Sequence, residues 1–266
     1  MVAFPNGKIN IGLQITGKRP DGFHDLETIF YPIQLFDVLE INAADKFSFQ
    51  CTGIKIEDIT DNICLKAYNV LKNDFNLPTV NIQLHKNIPV GAGLGGGSAD
   101  AVGCLVLLNK KFALNLSNQQ LFGYAVSLGS DCSFFLTNQP CFATGRGENL
   151  QSIDLDLSAY RILLVNPGIA VNTGWAFSQV KTFSKTSNLV ELVKQTPEHW
   201  KENVTNDFEA NIFASYPSIK EIKDQLYHQG AMYAAMSGSG SSVYGIFTKD
   251  AEVQPIFPDN YYFRWV

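Results

Sequence analysis

The sequence predicts a mixed α and β fold in two parts, and three observations carry that prediction. Apolar and polar side chains alternate through much of the first fifty residues, as strands require, and residues 63–128 place apolar side chains at helical spacing around a glycine-rich loop. After residue 150 the pattern restarts with the apolar run of residues 160–165, so the chain divides into domains at 1–150 and 151–266. With 266 residues, 45% of them hydrophobic and 17% charged, there is enough apolar material for one large core or two modest ones.

Each element has its own signal. Ile9, Ile11, Leu13 and Ile15 alternate with Asn10, Gly12, Gln14 and Thr16, a half-buried strand whose polar face also carries Lys8; periodicity alone reads that face as solvated. Residues 17–22 form a turn, since Pro20 fixes φ, Asp21 can bond nearby backbone and Gly22 tolerates positive φ. Phe23 and His24 follow at once, and Phe47, Phe49 and Cys51 alternate again. Ile63, Ala67, Val70, Leu71 and Phe75 mark a helix that Asn76 and Pro78 close. Val80, Ile82 and Leu84 form a strand before the glycine loop, and a nearly continuous apolar helix runs beyond the loop to about Leu108. Ser117 and Gln120 make a capping box ahead of Leu121, Tyr124, Ala125 and Leu128, with Gly129 as the C-terminal cap. That helix delivers Asp131 into a loop, where it either caps the next turn or stands as a positioned base. In the second part, the polar, weakly periodic residues 181–205 read equally as a mobile connection or a solvated helix. Ile219, Ile222 and Leu226 mark an amphipathic helix stopped by Gly230, and short strands at 232–236 and 243–247 flank a small-residue loop at 237–242.

The loop carries the chemistry. Gly91, Gly93, Gly95, Gly96 and Gly97 let backbone N–H groups converge, and the helix behind them adds unpaired amides and a positive dipole end, a combination suited to phosphate. Gly91, Gly93 and Gly96 spell G-x-G-x-x-G, but no acidic residue lies between Asp100 and Asp131 to hold a ribose, which excludes a dinucleotide loop. The absence of Gly-Lys-Ser/Thr excludes a Walker A loop. Ser98 reads as a helix N-cap or as a hydroxyl reaching a phosphate-bound magnesium. The second loop, alone a hairpin turn, suggests beside the first that both approach one polyphosphate.

Composition narrows the partners. A net charge of -5 without a basic run excludes nucleic acid, and no stretch of about 18 apolar residues crosses a membrane. Five widely spaced cysteines without a C-x-x-C pair read as buried reduced thiols, and no secretory leader is visible, which places the protein in the cytoplasm.

Three segments resemble the motifs of the GHMP kinase superfamily: Gly7-Lys8-Ile-Asn10, residues 89–100 and residues 236–242. Within it, residues 8–30, with Lys8, Asn10 and the Pro-Asp-Gly-Phe23-His24 run, are similar to kinases of a cytidine-bearing alcohol; Asp61-Asn62, Leu128-Gly-Ser-Asp131, Thr144-Gly-Arg-Gly-Glu148 and Asn206-Asp-Phe-Glu209 extend the likeness over nearly the whole chain. Two departures are Asn6-Gly7 in place of a small pair and Cys132-Ser133 where many members carry an apolar residue and proline. The resemblance implies an α+β, two-domain GHMP kinase fold, with a ribosomal-protein-S5-domain-2-like first domain, a ferredoxin-like second domain, and ATP and substrate in the cleft. It implies ATP-dependent phosphorylation of the 2-hydroxyl of 4-diphosphocytidyl-2-C-methyl-D-erythritol, a step of the non-mevalonate isoprenoid pathway, by a monomer or weak homodimer. Asp131 matches the catalytic base, and Lys8 matches its lysine partner, which orients the alcohol. Asn10 would bond substrate or the transferring phosphate. Phe23, His24, Thr173 and Phe177 would hold the cytidine, the aromatics by stacking and His24 at the base edge. ATP would be held by Pro89, Gly91, Ala92, Gly93, Leu94, Gly95, Gly96, Gly97 and Ser98, with Asn62 and Lys86 near the nucleotide and Mg2+ at Ser98.

Overall fold

The computed structural model describes residues 1–184 and 188–266. In chain order the elements are β1 (Val2–Ala3), β2 (Asn6–Lys18), β3 (His24–Phe36), β4 (Val38–Ala43), β5 (Ser48–Gly53), α1 (Ile63–Phe75), β6 (Val80–Lys86), α2 (Gly96–Lys111), α3 (Asn118–Leu128), α4 (Phe134–Thr137), β7 (Cys141–Thr144) and β8 (Asn149–Ser152). There follow β9 (Tyr160–Asn166), α5 (Thr173–Ser178), α6 (Leu189–Leu192), α7 (Glu209–Ser215), α8 (Pro217–His228), β10 (Tyr233–Met236), β11 (Val243–Thr248) and β12 (Tyr262–Trp265). The strands form sheets of order β1-β4-β6-β5, β2-β3-β7-β8 and β10-β11-β9-β12.

Compactness divides the chain discontinuously. One unit comprises Met1–Lys8, Pro32–Val90 and Gly95–Gln139; the other comprises Ile9–Tyr31, Gly91–Leu94 and Pro140–Val266. A sequence cut at residue 150 follows the restart of the apolar pattern, whereas these units follow packing, and both β2 and the glycine loop contribute to each.

The first unit is built on β1-β4-β6-β5. β5 and β6 are parallel, so the chain between them must cross over, and α1 is that crossover. Leu39, Ile41, Ile82 and Leu84 from the sheet pack with Ala67 and Leu71 of α1 and Ala101, Leu105 and Leu108 of α2. Asn76 ends α1 in the left-handed region at φ 47°, and Ser117 and Gln120 form the capping box of α3. Gly129 ends α3 with extended backbone at φ 173° rather than a left-handed cap, so the chain turns directly into a 3-10 turn at Ser130–Ser133.

In the second unit β10, β11, β9 and β12 pair antiparallel. Leu163, Val165, Val243 and Phe247 share a core with Ile219, Ile222 and Leu226 of α8, and with Leu13 and Ile15 of β2. Of the polar stretch 181–205, residues 185–187 lie outside the described residues. The rest is fastened by buried Leu189, Val193, Trp200 and Val204. The Trp200 indole donates to Gln195 O at 2.8 Å, and its ring meets Tyr233 edge to face. A few large apolar side chains therefore anchor a segment whose average polarity suggests solvation.

The polar face of β2 is likewise not solvated. Asn6, Lys8 and Asn10 are 8%, 3% and 3% exposed, because other elements cover the face that a half-buried strand would turn to water. A buried lysine needs a counter-charge.

Candidate active-site residues

That counter-charge is Asp131. Lys8 Nζ lies 3.3 Å from Asp131 Oδ2, with the lysine side chain 4% exposed and the carboxylate 34%. The lysine is thus fixed by packing, while the carboxylate keeps an accessible side. Asp131 sits in the 3-10 turn after α3, so it is held on a short rigid turn rather than a loose loop. Gly95 matters here: at φ +68° its absent Cβ would lie 3.1 Å from Lys8 Cγ and 2.9 Å from the Phe135 ring. The stem of Lys8 occupies the space a side chain would fill, which brings the start of α2 against the ion pair.

Gly95 is also the N-cap of α2 and makes no side-chain cap bond, so Ser98 is not the N-cap but lies within the first turn. The amides of that turn have no intrahelical acceptors, and the dipole end is positive. The Cys132 thiol beside Ser98 is pushed up to about 11, chiefly by burial. Pro89 is buried and Gly97 exposed at the helix start.

The earlier half of the glycine loop belongs with the second small-residue loop. Ser237 Oγ donates to Gly93 O at 2.8 Å and accepts from Asn10 N at 3.1 Å, and Ser242 N donates to Ala92 O at 3.2 Å. A Cβ on Gly93, at φ +77°, would stand 1.9 Å from Ser237 O. The second loop therefore braces the first by direct backbone contact. Asn10 is integrated in this brace: its Nδ2 donates to Thr28 Oγ1 at 3.0 Å, and its carbonyl accepts from Tyr244 OH at 2.9 Å. Asn206 fastens the far side by donating to Met236 O and Gly238 O, each at 2.8 Å. Thr173 meets the same loop, with Oγ1 3.0 Å from Ser239 Oγ.

A third group is aromatic. His24 stacks on Phe177 with centroids 4.9 Å apart and planes at 14°, and Phe177 meets Phe208 edge to face. Phe183 approaches the same imidazole at 6.3 Å. Desolvation, then the charge of Lys18, holds the His24 pKa below its ordinary 6.5, which favours a neutral ring with one donor and one acceptor nitrogen. Phe23 is 53% exposed, and its ring lies 5.0 Å from the Arg146 guanidinium. Sequence reading sets Phe23 and Phe177 on the cytosine with His24 at its edge; the ring pair seen in the structure is His24 on Phe177.

Two expected nucleotide residues have other occupations. Asn62 is the N-cap of α1, accepting from Cys64 N at 2.8 Å. The Lys86 ammonium is buried between Asp37 and Asp100. An inaccessible ammonium held by two carboxylates cannot also grip a phosphate, so Lys86 acts on the loop from beneath. Asp37 and Phe183 escaped sequence reading, and Arg146 entered it only within the Thr144–Glu148 likeness, without a role. Asp37 alone left a signal, as one carboxylate amid the apolar side chains flanking it.

Residues 62–146 match the GHMP kinases N terminal domain, and residues 188–259 match the GHMP kinases C terminal domain. The 4-diphosphocytidyl-2-C-methyl-D-erythritol kinase of Bacteroides fragilis is 49% identical over 258 residues, spanning 95% of this chain and 94% of its own. Its namesake from Bacteroides thetaiotaomicron is 50% identical over 252 residues, or 93% and 92% of the two chains. A crystal structure of 4-(cytidine 5'-diphospho)-2C-methyl-D-erythritol kinase superposes with a TM-score of 0.80 at 28% identity, covering 92% of this chain and 90% of that one. The Methanococcus jannaschii mevalonate kinase shares the fold at a TM-score of 0.68 and 14% identity, covering 95% and 92%. Near-complete coverage at such identity shows that the chain belongs to the 4-diphosphocytidyl-2-C-methyl-D-erythritol kinase family of the GHMP kinases.

Proposed function

We propose that the chain transfers the γ-phosphoryl group of ATP to the 2-hydroxyl of 4-diphosphocytidyl-2-C-methyl-D-erythritol, with Asp131 as general base and Lys8 as its partner. The observation that carries this reading is the Lys8–Asp131 pair held against the glycine start of α2. Phosphoryl transfer needs an anion cradle, cationic stabilisation and a group that takes the acceptor proton. In this reading the first-turn amides of α2 receive phosphate oxygens, and Asp131 Oδ accepts the hydroxyl proton as the new oxygen–phosphorus bond forms and the bond to ADP breaks. Lys8 keeps the carboxylate aimed and neutralises part of the charge gathered there.

The cytosine and the reacting hydroxyl lie at opposite ends of the acceptor, so different residues serve them. His24 and Phe177 offer a stacking surface and a neutral hydrogen-bonding edge, which suit a pyrimidine and have no use in a kinase of mevalonate or homoserine. Magnesium would be carried mainly by ATP. Among the described residues no three His, Cys, Asp or Glu side chains are gathered to hold a metal, and the Ser98 hydroxyl at the helix start is the oxygen the chain offers. Bound there, the metal would neutralise phosphate charge.

The test is ADP release measured with the diphosphocytidyl alcohol, mevalonate and homoserine in parallel, with the product identified by phosphorus NMR. Turnover confined to the diphosphocytidyl alcohol is expected. ADP release with none of them would end the proposal.

A further inference from the structure

The segment that follows α5 carries an aromatic ring for which the core has no use. Phe183 is the one apolar residue between Val180 and Leu189. Phe177 and Val180 pack against the core of the second unit, whereas Phe183 leaves 47% of its surface in water. Lys181 and Thr182 beside it are exposed as well, so burial does not account for a phenyl ring at this position.

The backbone next to that ring is fastened to β2. Ser184 N donates to Ile15 O at 2.9 Å, and Ser184 Oγ donates to Asp207 Oδ2 at 2.8 Å. The same carboxylate oxygen accepts from Ile15 N at 2.7 Å, and Asp207 N donates to Leu13 O at 2.8 Å. Asp207 is thus a clamp that ties Ser184 to the strand. A scattered exposed aromatic needs no account. Phe183 differs, because the clamp sets it beside a candidate binding residue.

That residue is His24. The Phe183 ring lies 6.3 Å from the imidazole at 51°, while Phe177 stacks on the same imidazole at 4.9 Å and 14°. The two phenyl rings are therefore not parallel to each other: Phe177 lies flat on His24, and Phe183 stands inclined to it as a wall. Desolvation is the leading cause of the lowered His24 pKa, in keeping with rings that crowd water away from the imidazole.

A cytosine has a planar body with apolar faces and an edge of donors and acceptors. A site for it needs a hydrogen-bonding group together with rings that keep water from that bond. Resting on the kinase reading, we propose that Phe183 is a specificity-determining residue for the acceptor: its ring walls the cytosine held at His24 and shields the hydrogen bond between imidazole and base. Shielding strengthens the bond because its electrostatic energy grows as the local dielectric falls. Phe183 takes no part in the transfer itself, so its loss is felt in acceptor binding alone.

The experiment compares the wild-type enzyme with Phe183→Ala and Phe183→Tyr, measuring kcat, KM for ATP and KM for the diphosphocytidyl alcohol. Phe183→Ala should raise the acceptor KM by about fivefold or more, with kcat and KM for ATP held within about twofold. Phe183→Tyr keeps the ring and should restore the wild-type value. Because nearly half of the side chain already faces water, both variants should melt with the wild type. An unchanged acceptor KM in Phe183→Ala overturns the proposal, as does an equal rise in KM for ATP. A Phe183→Tyr enzyme as impaired as Phe183→Ala overturns it too, since the ring itself would then not be what matters. Wild-type enzyme that phosphorylates the diphosphocytidyl alcohol while both variants match it removes Phe183 alone; wild-type enzyme without that activity overturns the kinase reading and this inference together.

Discussion

Lys8 is almost wholly buried while Asp131 keeps an open side, and that asymmetry suits a packed cation beside a base that must meet its substrate. Asp131→Asn preserves shape and removes the proton acceptor, so kcat should fall by at least about 100-fold in folded protein; because the change also takes the counter-charge from buried Lys8, the melting temperature should fall, and the assay is run well below it. Near-normal ADP release would place the base elsewhere. The aromatic residues make a separable prediction. Phe177→Ala removes the ring stacked on His24, so KM for the diphosphocytidyl alcohol should rise while KM for ATP stays within about twofold; equal changes in both would remove Phe177 from base recognition. His24 adds a pH dependence. Its pKa lies below 6.5, so the ring is neutral at pH 7 and gains a proton only on further acidification, losing its acceptor nitrogen. Apparent affinity for the acceptor should therefore fall on the acid side, and a His24→Gln profile retaining that limb would contradict the role.

The glycine loop joins residue chemistry to architecture, and its glycines are not interchangeable. At Gly93 a side chain would strike the Ser237 carbonyl and demand a left-handed backbone, so Gly93→Ala should cost more than about 2 kcal/mol in a denaturant titration. At Gly97, already helical, a Cβ would meet nothing closer than Ile63 Cγ2 at 3.7 Å. Gly97→Ala should leave stability unchanged or raise it by up to about 1 kcal/mol, while the added methyl at the helix start raises KM for ATP. Loss of stability at both positions would mean that packing alone explains the loop. Elements of this kind were legible in the sequence because their signals are local: the Ser117 box, the Asn76 stop and the alternation in β2 each act within one turn or one strand. Lys8 and Asp131, the pair on which the proposed chemistry rests, stand in short recognisable segments, and the structure brings them together. What sequence reading missed depends on distant covering. Nothing in the alternation of β2 tells that its polar face is sealed, Trp200 anchors a stretch whose average is polar, and Lys86 meets Asp37 across 49 positions of chain.

Across the molecule, burial also decides the state of the thiols. All five cysteines are unpaired, and four of them, Cys64, Cys104, Cys132 and Cys141, are buried, with Cys51 partly covered. Each is raised above the ordinary thiol range, with burial the leading cause. The thiolate is the reacting species, so a buried thiol held protonated reports the opening of the structure around it rather than its own chemistry. Cys51, Cys64, Cys104 and Cys132 lie in the first compact unit and Cys141 in the second, which makes the cysteines local gauges of each. With a thiol reagent at neutral pH, the native protein should show at most one reacting group on the fast timescale, Cys51, and all five after denaturation. ATP should slow the reaction of the first unit's buried thiols more than that of Cys141, because a ligand that binds only the native state suppresses openings of the region it contacts. Peptide mapping of partially labelled protein gives the order directly. If ATP protects Cys141 alone and leaves Cys64, Cys104 and Cys132 unaffected, nucleotide does not bind at the start of α2, and the assignment of that turn to the phosphates fails.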